Sequence, residues 1–89
     1  MGPTDHEDWE ARLTIPVHEM DLILFAEVEA MQLADDGRVL AGFRVLVQGL
    51  SRARDEQSHG TAYGSELVRH WQRTLDNYTR RHGDVLVKW

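Results

Sequence analysis

Two apolar runs with helical spacing meet at Asp35-Asp36-Gly37, and that junction constrains the chain more than any other feature. On its N-terminal side Val17, Met20, Leu24, Val28 and Met31 recur every three or four residues, the spacing that lines one face of a helix. A second apolar stripe, Ile23, Ala26, Ala30, Leu33 and Ala34, runs through the same segment. On the C-terminal side Val39, Phe43, Leu46, Leu50 and Ala53 form one stripe with Leu40 and Val47 beside it, while Arg44, Gln48, Ser51 and Asp55 fall opposite. Gly37 suits the left-handed conformation that ends a helix, and Asp35 or Asp36 suits the cap of the next one. The expectation is an antiparallel helical hairpin, with a first helix over residues 16–34 and a second over 38–56. Pro16 belongs in the first turn, where its missing N–H has no intrahelical partner to lose.

The first helix carries one apolar stripe too many for a hairpin alone. Two stripes make more than half its circumference apolar, so it needs neighbours on two sides. Glu19, Asp21, Glu27 and Glu29 are expected to keep the remainder wet. Gln57-Ser58-His59-Gly60 then breaks the pattern, and a third helix is expected over residues 61–82. Its stripe is Tyr63, Leu67, Trp71, Leu75 and Tyr78, with Val68 beside it. Arg80, Arg81 and His82 suit the negative end of a helix dipole and Gly83 the position that ends a helix. The tail from Asp84 to Trp89 reads as a short extended segment, paired with Leu13-Thr14-Ile15 or packed on the bundle. Residues 1–13 are polar and without period. They read as a flexible acidic arm attached to a single helical domain over residues 14–89.

Gly42 and Gly49 sit inside the second helix, seven residues apart and therefore on one face. Each costs a helix about 1 kcal/mol relative to alanine, which points to close approach of another helix backbone there. With Ala30, Gly37, Val39 and Leu46 these glycines follow the order of small and large residues in a tetratricopeptide repeat, and residues 23–54 resemble one such hairpin. Ala26, Glu29 and Arg54 stand where that repeat usually has tryptophan, leucine and its closing proline. There is one hairpin, where stable arrays of the repeat need about three. The resemblance implies a hairpin with a third, capping helix. It also implies a peptide-binding inner face on the first helix bearing Leu24, Glu27, Met31 and Ala34. The plainer alternative makes Leu24 and Met31 ordinary core against the third helix, since an apolar stripe is more often core than binding site.

Composition narrows the function. At 89 residues the chain is one domain with a modest core, and its lack of cysteine excludes disulfides, thiolate metal sites and thiol nucleophiles. No apolar run approaches the ~18 residues of a membrane span. The opening Met1-Gly2-Pro3-Thr4-Asp5-His6 is no basic leader, and His6 makes Gly2 a poor myristoylation site, so a soluble cytoplasmic protein is expected. Residues 1–37 carry ten acids against Arg12, a net of −9, and residues 38–89 carry nine bases against five acids, a net of +4. The two halves attract each other, while the whole chain, at −5, repels phosphate.

No phosphate loop, His-Glu-x-x-His or Gly-x-Ser-x-Gly occurs, and nothing places an activating base beside a serine. Glu66 and His70 share a helical face as metal ligands can, but two ligands leave a site incomplete, and a solvent-exposed pair is the simpler reading. No metal, cofactor or catalytic residue is therefore expected, and the chain is read as no enzyme. The expected fold is all-α, three helices in an antiparallel bundle. The expected function is a protein–protein interaction or assembly module, as a homodimer or an accessory subunit with a protein partner. The alternative is a nucleic-acid-associated protein using Arg69, Arg73 and Arg80 of the third helix, which the charge balance disfavours.

Overall fold

Left-handed glycines make both turns. In the computed structural model, which describes residues 15–87, Gly37 and Gly60 adopt φ of 81° and 77°. Around the first, the N–H of Gly37 donates to the Ala34 carbonyl at 3.0 Å and that of Arg38 to the Leu33 carbonyl at 2.7 Å. Around the second, Gly60 donates to Gln57 at 3.1 Å and Thr61 to Glu56 at 3.4 Å. Both are Schellman closures, which satisfy carbonyls that a helix end leaves free. The three helices they separate are α1 (Val17–Asp35), α2 (Val39–Ser58) and α3 (Gly64–Val87). The fold is an all-α three-helix bundle, and no helix among the described residues is long and apolar enough to cross a membrane.

The central element is α2. Both α1 and α3 pack along it extensively and touch each other far less. Val39, Leu46, Leu50 and Ala53 are buried between Ile23, Ala26 and Ala30 of α1 and Leu67, Trp71 and Tyr78 of α3. Gly42 and Gly49 make this possible. A Cβ at Gly42 would overlap the Tyr78 hydroxyl and lie 2.7 Å from the Ala30 carbonyl oxygen of α1. A Cβ at Gly49 would overlap the Trp71 indole. The close approach expected of a helix backbone thus holds at Gly42, whereas at Gly49 an indole takes the space.

Three expectations need correction. Neither Asp35 nor Asp36 caps α2; Arg38 holds that position with no side-chain cap. Thr61 and Tyr63 lie in a turn, and α3 starts at Gly64. The third helix does not end at His82–Gly83 but runs on to Val87 through a kink at His82 (φ −118°, ψ 17°), so Asp84–Val87 is helical rather than extended. Gly83 has no left-handed φ with which to stop it, and Leu86 beyond the kink packs on the core. The proposed pairing with Leu13-Thr14, the arm of residues 1–13, and Lys88-Trp89 fall outside the described residues.

The glycines make opposite predictions. Gly49→Ala gains helix propensity but drives a methyl into Trp71, a net loss of about 1–2 kcal/mol. Gly83→Ala meets nothing within 4 Å and is expected to gain about 0.5–1 kcal/mol. Urea unfolding of both variants measures the contrast.

Candidate functional site

How α1 is turned about its own axis decides what it offers. Ile23, Ala26 and Ala30 face α2, and one turn earlier in the same phase sits Glu19. Its side chain is only 4% exposed, and its carboxylate accepts a hydrogen bond from Arg52 Nη2 at 3.1 Å. The expectation that Glu19 stays wet is therefore overturned. Its position in the first turn favours an anion, because the free N–H groups there carry partial positive charge. Arg52 reaches it from α2 and remains half exposed. On the α3 side, the Thr74 hydroxyl donates to Glu27 Oε1 at 3.1 Å. These two polar contacts fix the rotation of α1 at two levels.

With that rotation, Ile23, Ala26 and Ala30 of the second stripe become core, and the first stripe is left in water except for Met20, which packs half-buried on the core. Val17 is 76% exposed, Phe25 70%, Leu24 55%, Val28 53% and Met31 47%. Val17, Leu24, Phe25 and Val28 cluster on the side of α1 opposite Ile23, Ala26 and Ala30, and Met31 lies at the edge of that cluster toward α3. Leu24 and Met31 are thus not core against the third helix. That helix packs on α2 and leaves the outer side of α1 uncovered. The chosen site residues divide accordingly. Leu24 lies on the outer stripe, Met31 at its edge where it also lines the groove toward α3, Glu27 is half-buried beneath Thr74, and Ala34 is half-buried against the core. Val17, Val28 and Phe25 belong to the exposed surface as well. Val17 and Val28 were legible as stripe members, whereas Phe25 lies off both stripes.

Between α1 and α3 runs an open groove of about 580 Å³. Glu27 and Met31 form one wall, Thr74, Asn77 and Tyr78 the other, and Leu46 the floor, with Arg80, Arg81 and His82 at its end. The Tyr78 hydroxyl donates to the Val39 carbonyl at 2.6 Å, and its ring lies 4.7 Å from that of His82. Burial holds the Tyr78 hydroxyl above its ordinary pKa.

Glu66 pairs with Arg69 at 3.1 Å rather than with His70. Among the described residues no three His, Asp or Glu side chains gather in a metal-binding group. Arg69, Arg73 and Arg80 do share the outer face of α3, along a shallow trough that also holds Asp76. Comparison of the chain with protein-family models, with curated proteins and with solved structures finds no match.

Two predictions follow from the contacts that orient α1 and α3. Arg52→Ala strands the Glu19 carboxylate among apolar neighbours and costs about 1–3 kcal/mol in denaturant unfolding, while Arg44→Ala on the exposed face of α2 stays within about 0.5 kcal/mol. Tyr78→Phe forfeits its bond to Val39 and costs about 0.5–1.5 kcal/mol at neutral pH. The pH dependence has a definite sign. In the unfolded chain this phenol ionises near 10.0, before the folded one does. Its stabilising contribution is complete below that pH and is lost as the pH rises through the folded value. The gap between parent and Tyr78→Phe therefore narrows in alkali, as unfolding curves at neutral and strongly alkaline pH will register.

Proposed function

We propose that this chain is a small helical protein–protein interaction or assembly module, acting as an oligomer or as an accessory subunit, with the outer face of α1 as its docking surface. One observation carries the reading: α1 is apolar on opposite sides, and the bundle covers only one of them. Leu24, Phe25, Val28 and Met31 stay in water. Full burial of such a side chain is worth roughly 1.5–3 kcal/mol, and contiguous apolar surface on a small soluble domain commonly marks a contact site. A partner that covers the stripe recovers that free energy. Leu24, Val28 and Met31 fall at i, i+4 and i+7, the spacing by which a helix presents anchors to another helix. The partner is a second copy of this chain or a different protein, and the role is one of binding rather than catalysis. The likeness of residues 23–54 to a tetratricopeptide hairpin agrees with a module built to bind.

The reading based on nucleic acid has less behind it. Arg69 is engaged by Glu66, Asp76 interrupts the arginine face, and the net charge of −5 opposes phosphate.

The test pairs Leu24→Asp with Val28→Asp. In the parent chain an environment-sensitive apolar dye binds, or sedimentation velocity detects self-association. The double variant loses both, yet its stability moves by no more than about 0.5 kcal/mol per site because neither side chain serves the core. A parent chain that binds no dye and sediments as a single monomer at high concentration contradicts the reading.

A further inference from the structure

The charges that surround the apolar stripe select its partner. Along its full length α1 contains Glu19, Asp21, Glu27, Glu29 and Asp35, with Asp36 just beyond, and neither lysine nor arginine. Among the described residues Glu19 is the only one of these acids with an ion-pair partner, Arg52, and it faces inward. The rest border the stripe. At 100° per residue, Asp21 falls between the Leu24–Val28 line and Phe25, one turn before them, Glu29 falls beyond Phe25 on that side, and Glu27 falls on the other side. Asp35 and Asp36 stand at the C-terminal end, where the helix dipole already favours a cation. Arg80, Arg81 and His82 lie at the end of the inner groove, and neither arginine pairs with an α1 carboxylate.

We propose that the outer face of α1 takes a cationic amphipathic helix of a partner protein, one with an apolar stripe flanked by arginine or lysine. The proposal rests on the reading of this face as a docking surface and adds the chemistry of its occupant. Three other occupants fit the charges worse. A second copy that pairs α1 against α1 sets carboxylates against carboxylates with neither lysine nor arginine between them. The N-terminal residues 1–14 bring Asp5, Glu7, Asp8 and Glu10 against Arg12 alone, again the same sign. An anionic lipid surface is repelled by the same carboxylates. A helix with basic flanks buries the stripe and matches the sign at every edge, and electrostatic matching of this kind chooses between partners more than it adds affinity.

The experiment uses the full chain and two fluorescent synthetic peptides that share one leucine stripe, one with lysine and arginine on its flanks and the other with glutamate. Fluorescence anisotropy is expected to show the cationic peptide binding at least about tenfold more tightly at low salt, with the gap shrinking as salt screens the flanks. Asp21→Lys with Glu29→Lys reverses the ranking. Phe25→Ser, a milder change at an exposed position, weakens the cationic peptide without altering the circular dichroism spectrum. Equal binding of the two peptides, or an unchanged ranking in the charge-reversed variant, overturns the charge selection while leaving the docking surface in place. A stable dimer that leaves Leu24 inaccessible and excludes both peptides does the same and makes a second copy the occupant. If neither peptide binds and the chain is a monomer without dye binding, the proposed function falls with the inference.

Discussion

The contact on which the rest of the structure depends is the fit of two aromatic side chains onto the glycine face of α2. Trp71 lies over Gly49, and the Tyr78 hydroxyl sits against Gly42 while it donates to the Val39 carbonyl. Gly42 also admits the Ala30 carbonyl of α1. One helix thus receives both neighbours along a face from which Cβ atoms are missing. Two interior glycines cost about 2 kcal/mol of helix propensity together, which the burial of Trp71 and Tyr78 offsets. A chain of this length has few other ways to gather a core, since domains of this size bury a smaller fraction of their surface than larger ones.

That arrangement has a geometric consequence for α1. Because α1 and α3 both seat on α2, α3 is not free to lie across the far side of α1. Small residues turn inward on α1: Ala26 and Ala30 let the backbones close, and Ile23 fills the space beside them. The Arg52 pair at Glu19 and the Thr74 bond at Glu27 hold that rotation. Leu24, Phe25 and Val28 then point to solvent because the fold has nothing left to cover them. The apolar surface is a product of how the core is built, and its acidic border follows from a helix that has neither lysine nor arginine.

Much of this was legible in advance for a physical reason. Helical periodicity is a strong signal when sustained over several turns, so the hairpin was readable from Val17-Met20-Leu24-Val28 and Val39-Phe43-Leu46-Leu50 on either side of Gly37, and the third helix from Leu67-Trp71-Tyr78. Other features were not. Both stripes of α1 are apolar, so hydropathy could not decide which one is core; side-chain size could, since Ala26 and Ala30 are small enough for close packing and Ala30 meets Gly42. Glu19 looked like a solvated acid, yet its phase with Ile23, Ala26 and Ala30 was the signal that it is buried. Gly83 after Arg-Arg-His looked like a helix end, but a terminating glycine needs a left-handed φ, and contacts of Leu86 with the core carry the helix onward. The tertiary partners of Glu27 and Glu66 were out of reach, because sequence spacing says nothing of Thr74 across the groove and does not choose Arg69 over His70.

The central claim is that α1 is apolar on two opposite sides and covered on one. The absence of cysteine makes it directly measurable. Single cysteines placed by Leu24→Cys, Phe25→Cys, Val28→Cys, Ala26→Cys and Ala30→Cys can be timed against a thiol reagent in the dilute native chain. Rapid labelling at 24, 25 and 28 with strong protection at 26 and 30 is the predicted result. Protection at all five positions in a chain that sediments as a monomer, or rapid labelling at Ala30→Cys in a variant that remains folded, would contradict it.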